Sequence, residues 1–187
     1  LFRKALETYG INKNYVQLIN SKNRRFVKLM LSNMDQYIDV IIPRGGKSLI
    51  QQVKKFNKIP IIGHLEGLCH TYVDKDADLK MCKSIIYNAK LRNTSICGAT
   101  ETILIHKKCI KKFTNPILKM LENAECTIFA DKEIKKNFIG KSKNASKKNW
   151  SKEYLSAKVS VKSVENVFDA VEHINKYGTM HTDAIIT

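Results

Sequence analysis

Short apolar runs rich in β-branched residues recur along the chain, and the stretches between them carry the 3.6-residue period of amphipathic helices. This alternation constrains the fold more than any other feature. Strands that are short and apolar throughout, rather than alternating with polar residues, must be covered on both faces. Strand-to-strand connections long enough to hold a helix join parallel neighbours. The runs are "YVQLI" (15–19), "IDVII" (38–42), "IPII" (59–62), "TYV" (71–73), "TILIH" (102–106), "CTIFA" (126–130), "AKVSV" (157–161) and "DAIIT" (183–187). The clearest helical period places Asp78, Cys82, Ile85, Ile86 and Ala89 on one face. A second aligns Val164, Val167, Phe168, Val171 and Ile174, closed by Gly178 as a C-cap. The expected class is α/β with a mainly parallel sheet, and residues 140–149 read as a linker.

At 187 residues and 43% hydrophobic content the chain can bury a sizeable core. No apolar run approaches the ~18 residues needed to span a bilayer, and "LFRKALETYG" lacks the apolar core of a signal peptide. A cytoplasmic, membrane-free protein is expected. Five cysteines, an odd number without a C-x-x-C pair, indicate reduced thiols and no metal site. Cys82, Cys109 and Cys126 lie among apolar positions and are expected to be buried. The net charge of +16 could indicate nucleic acid, but only five of the 33 basic residues are arginine, the better reader of phosphate and guanine. The segment 131–152 alone holds eight lysines against two acids, as a solvated helix end and loop would.

Two stretches carry chemistry. In "IDVIIPRGGKSLIQQVKKF" a Pro-Arg-Gly-Gly turn joins a strand to an amphipathic helix. Its glycines let a ligand approach the backbone, and the helix start offers N–H groups to an anion. The turn lacks both the G-x-G-x-x-G and P-loop patterns, so a plain β–α turn explains it equally well. In "NTSICGATETILIH", Cys97 stands among Ser95, Gly98 and Ala99, which leave the sulfur open to approach.

"IDVIIPRGGKSLI", "IPIIGHLEGLCHTYVDKDAD", "NAKLRNTSICGATETILI" and "INKYGTMHTDAIIT", in that order, resemble the gamma-glutamyl phosphate reductase (glutamate-5-semialdehyde dehydrogenase) family of the aldehyde dehydrogenase superfamily. The resemblance implies an aldehyde dehydrogenase-like chain, internal to a longer family pattern. Residues 1–63 would be the trailing part of a Rossmann-like NADP-binding domain and 64–187 most of a catalytic α/β domain. It implies reduction of gamma-glutamyl phosphate to glutamate 5-semialdehyde with NADP(H), releasing phosphate, in proline biosynthesis. Cys97 stands at the nucleophile's position and would carry a thioester. Arg44, Gly45, Gly46 and Lys47 match the turn beside the cofactor, while His181 and Asp183 would lie near the substrate phosphate or carboxylate. His64 falls where oxidising relatives place a general-base glutamate. A reductase needs no such base, and hydrogen-bonded structural roles suit His64 and His70. Asn93 departs from the family by replacing a second basic residue. Lys90 and Arg92 would place positive charge beside the sulfur.

The resemblance also implies that the oxyanion-hole asparagine and an oligomerisation arm lie in portions absent from this sequence. Three readings follow: a reductase that acts as a homo-oligomer or with a complementary fragment of a split enzyme, a catalytically inactive remnant, and a basic nucleic-acid-binding module. The scarcity of arginine disfavours the third.

Overall fold

The computed structural model describes residues 1–45, 47–56, 58–63 and 66–187. Gly46, Asn57, His64 and Leu65 lie outside the described residues, as do the side chains of Lys47, Ser48, Ile50, Gln51 and Lys54. The chain divides into two compact units, Leu1–Leu65 and Glu66–Thr187.

The first unit contains α1 (Phe2–Thr8), α2 (Arg25–Asn33) and α3 (Lys47–Phe56). Leu31, Val53 and Ile59 are its buried apolar side chains among those described. Three expected strands do not form here. Residues 13–15 make a 3-10 turn and 16–19 have no regular structure, while 38–42 and 59–62 meet at one parallel bridge, Ile41 with Ile61. Two hydrogen bonds hold that bridge, Ile41 N–H to Pro60 O and Ile62 N–H to Ile41 O, both 2.9 Å. Pro43 and Pro60 bracket the pair, and neither can donate to a ladder. Apolar runs read as strands only where a neighbouring strand completes them.

The second unit is a single six-stranded sheet in which every pairing is parallel, in the order β4-β3-β5-β2-β1-β6. Its elements are β1 (Cys69–Val73), α4 (Leu79–Leu91), β2 (Thr100–His106), α5 (Ile110–Asn123), β3 (Thr127–Ala130), α6 (Lys132–Lys136), β4 (Lys143–Asn144), α7 (Lys147–Trp150), β5 (Lys158–Val164), α8 (Val167–Tyr177) and β6 (Asp183–Ile186). The stretch 140–149, read as a linker, instead supplies β4 and most of α7. The short β4 pairs only with Phe129 and Ala130 of β3, and a two-residue strand leaves no hydrophobic pattern to detect. The run 183–187 forms β6 at the sheet edge, paired with β1 alone.

α4 begins where Asp78 accepts a hydrogen bond from Met81 N–H at 2.7 Å, and it buries Cys82, Ile86 and Lys90, an i, i+4, i+8 stripe. Ile85, expected on that face, is 38% exposed because the buried stripe is narrower than the apolar one. α5 packs beside α4 and buries Phe113, Ile117 and Leu121. With Val73, Ile103, Ile105, Ile128, Val159 and Val161 from the strands they form the main core. α8 covers the opposite face through Ala170 and His173. The expected stripe of Val167, Phe168 and Val171 points outward, and Phe168 is 80% exposed. The polar His173, not the larger hydrophobes, fills the space over β1 and β5. Gly178 does close α8, but in extended backbone (φ −70°), and a Cβ there would meet Ile174 O at 2.6 Å.

Candidate active site

α4 ends at Leu91 and β2 begins at Thr100, so Cys97 sits in the loop between them, half-buried. The loop is pinned at both ends. On the entering side Asn93 Oδ1 accepts hydrogen bonds from the N–H of Ser95 at 3.2 Å and its hydroxyl at 2.9 Å, an Asx turn. Asn93 thus has a structural use in shaping the loop. On the leaving side Ala99 N–H donates to Ile96 O at 3.1 Å.

Beneath the loop, Lys90 of α4 donates to Glu101 of β2 at 2.9 Å, with both side chains buried. Glu101 also accepts the N–H of Leu155 at 3.2 Å, which ties the loop before β5 to the same anchor. Burial raises the Glu101 carboxyl above the usual range, and the Lys90 charge opposes that rise. Lys90 is therefore committed to a buried ion pair, which corrects its expected place as open positive charge around the sulfur.

Parallel pairing puts the N-terminal ends of β6, β1, β2 and β5 along one edge, and the loops entering those strands meet around Cys97. Gly67 lies against the Cys97 backbone so closely that a Cβ would fall 2.0 Å from Cys97 O. Only glycine permits that approach. Gly67 N–H donates to Glu153 at 2.9 Å, and Leu68 N–H donates to the Thr179 hydroxyl at 3.0 Å. The Cys69 thiol donates to Cys97 O at 3.2 Å and lies 3.5 Å from His181 Nδ1, which also contacts the Thr182 hydroxyl at 2.8 Å. Among the described residues nothing stands within 4 Å of where a Gly98 Cβ would be, which leaves the loop open on that side.

Of the two expected substrate residues, His181 joins this edge directly. Asp183 Oδ1 instead accepts the ring Nδ1–H of His70 at 2.8 Å and the His70 backbone N–H at 3.1 Å, tying β6 to β1. Burial lowers the His70 pKa, with the Asp183 hydrogen bond opposing the change.

Burial separates Cys97 from the other thiols. Cys69, Cys82 and Cys126 are each pushed up to about 11 by desolvation, and Cys109 is also raised by burial. For Cys69 the Asp183 charge adds to the rise.

In the first unit, Arg44 and Gly45 are exposed and immediately precede α3, while Gly46 and the Lys47 side chain lie outside the described residues. Gly45 has φ +159°, a backbone conformation that residues with a side chain rarely adopt. Sequence reasoning passed over Gly67, Cys69, Glu101, Glu153 and Thr179. Only the charge of Glu101 at the head of an apolar run hinted at a buried role.

A profile of the aldehyde dehydrogenase family matches residues 1–176. The chain belongs to this family. It is 46% identical over 183 residues to a gamma-glutamyl phosphate reductase of Bartonella tribocorum, covering 98% of this chain and 44% of that protein. A gamma-glutamyl phosphate reductase of Paramagnetospirillum magneticum is 46% identical over 177 residues, covering 95% of this chain and 41% of that protein. The crystal structure of the Thermotoga maritima gamma-glutamyl phosphate reductase superposes with a TM-score of 0.92 at 33% identity, covering 99% of this chain and 44% of that one. The chain thus spans less than half the length of these relatives. Among the described residues, no helix is long and apolar enough to cross a membrane.

Proposed function

We propose that this chain carries the nucleophile-bearing part of a gamma-glutamyl phosphate reductase, which reduces gamma-glutamyl phosphate to glutamate 5-semialdehyde and phosphate. The observation that carries the reading is Cys97, the half-buried thiol of five, on an open loop of a chain nearly half identical to such reductases. The sulfur attacks the acyl carbon, a C–S bond forms and the bond to phosphate oxygen breaks. The acyl group is then held as a thioester on Cys97. Gly98 leaves room for the acyl group, and the Lys90–Glu101 anchor with Gly67 beneath keeps the loop from receding. His181 faces the same edge and suits an anionic substrate group, whereas Asp183 would repel one and acts by holding β6 to His70.

Arg44, Gly45, Gly46 and Lys47 would suit a nicotinamide dinucleotide, because Gly45, with φ +159°, leads toward the first-turn N–H groups of a ten-residue helix. When bound in reduced form, NADP(H) supplies the hydride that converts the thioester to the aldehyde. The same reading makes the protein cytoplasmic, with small-molecule rather than nucleic-acid partners. Its full activity involves the rest of the family's length, as a homo-oligomer or with a complementary fragment.

The test uses limited iodoacetamide at neutral pH with peptide mapping, alongside phosphate-dependent reduction of NADP+ by glutamate 5-semialdehyde in the chain combined with the remaining family portions. Cys97 should label first, and Cys97→Ser should remove both the fast labelling and the activity. Equal labelling of all five cysteines, or activity that survives Cys97→Ser, would reject the assignment.

A further inference from the structure

We propose that Cys69 is a resolving cysteine for Cys97, so that oxidation by a peroxide locks the candidate nucleophile reversibly in a Cys69–Cys97 disulfide. The proposal rests on the reading of Cys97 as the reactive thiol. Three observations carry it. The Cys69 thiol is hydrogen-bonded at 3.2 Å to the backbone carbonyl of Cys97 itself, so the two residues are held side by side. The remaining cysteines, Cys82, Cys109 and Cys126, are built into the main core on the α4 and α5 side, where they pack with Ile86, Phe113 and Ile128. His181 Nδ1 stands 3.5 Å from the Cys69 sulfur and can take its proton. Such an acceptor is needed, because burial and the Asp183 charge hold the Cys69 thiol protonated at neutral pH.

The chemistry balances with hydrogen peroxide as oxidant. The Cys97 thiolate attacks one peroxide oxygen, an S–O bond forms, the O–O bond breaks and water leaves after protonation, giving the sulfenic acid. Cys69 then passes its proton to His181 and its sulfur attacks the Cys97 sulfur. The S–S bond forms, the S–O bond breaks, and the departing hydroxide takes up a proton as a second water. Two thiols are oxidised by two electrons in total, and one peroxide becomes two waters. The open outer side of the loop at Gly98 gives the peroxide access, and the buried position of Cys69 keeps it from being oxidised first.

Trypsin separates the two residues, since Cys69 lies in the peptide 59–75 and Cys97 in 93–107. The whole chain is treated with dilute hydrogen peroxide at neutral pH, quenched with an alkylating agent and mapped without reduction. The expected product is peptide 59–75 joined to 93–107, with fast iodoacetamide labelling of Cys97 lost on oxidation and restored by dithiothreitol. In Cys69→Ser, whose hydroxyl can keep the bond to Cys97 O, labelling before peroxide should stay fast. After peroxide, recovery with dithiothreitol should be lost, because the unprotected sulfenic acid proceeds to sulfinic acid. If Cys69→Ser fails to fold, trapping with dimedone in the unaltered chain decides the matter: a sulfenic acid that gives way to the joined peptide supports the proposal. Oxidised Cys97 without the joined peptide, or equal recovery in Cys69→Ser, overturns the lock but leaves the nucleophile reading intact. Slow labelling of Cys97 before any peroxide is added overturns the nucleophile reading itself.

Discussion

The two faces of the six-stranded sheet are built on different principles. On one, α4 and α5 press Ile86, Phe113, Ile117 and Leu121 onto Ile103, Ile105, Val159 and Val161, a closely packed apolar interior beside the buried Lys90–Glu101 pair. On the other, Ala170 of α8 meets Tyr72, Leu104 and Val164 in only a small apolar patch. The remaining space holds His70 and His173, rings 5.7 Å apart edge to face, with Trp150 edge-on to His173 at 5.6 Å. Lys162 Nζ lies 3.3 Å from His173 Nδ1, and the Nε2 atoms of both histidines are buried with no hydrogen-bond partner among the described residues. The first face supplies stability and the second trades some of it for polar groups next to the edge that carries His181 and Asp183.

The largest expected effects lie on the apolar face. Phe113→Ala should cost about 3–5 kcal/mol in denaturant unfolding, since the ring is fully enclosed and its neighbours cannot collapse into the void. A loss below about 1 kcal/mol would mean that this face is no more tightly packed than the other. Lys90→Met should cost a similar ~3–5 kcal/mol by leaving Glu101 charged and unpaired in the interior. Pairing it with Glu101→Leu should return much of that loss, and a double variant as unstable as the single one would show that geometry rather than charge sets the cost.

The polar face should reveal itself in acid. Desolvation, helped by the Lys162 charge, lowers His173 to about 3, so between about pH 6.5 and 3 the unfolded chain binds a proton that the folded chain does not. Stability therefore falls as pH drops through that window, by up to about 1.4 kcal/mol per pH unit from this group alone. His70, also lowered by burial, acts with the same sign. His173→Phe should flatten the slope of unfolding free energy against pH. An unchanged slope would place the acid sensitivity elsewhere. The smallest effect belongs to the outer side of α8, where Phe168→Ser should shift stability by no more than about 0.5 kcal/mol. A larger loss would show that this apolar ring is covered by something in solution.

Local pattern by itself determined the parallel α/β class, the open setting of Cys97 and the existence of strands near 71–73, 102–106, 126–130, 157–161 and 183–187, whereas the structure starts the first two earlier and carries β5 on to Val164, a residue the helical period had claimed. These are properties of a few neighbouring residues: apolar runs bounded by turns, and small side chains beside a thiol. Tertiary structure decided the rest. The runs at 15–19, 38–42 and 59–62 have the same composition as true strands but no ladder to join, and a strand exists only through its partner. α8 turned His173 inward and Phe168 outward because the cavity over β1 and β5 was shaped by residues distant in sequence, which no helical period can record. Gly67, Glu101 and Cys69 came to lie beneath or beside the Cys97 loop because parallel pairing aligns the starts of adjacent strands. Residues 28 or more positions from Cys97, such as Cys69 and Gly67, thus come into contact with it through a register that no single segment encodes.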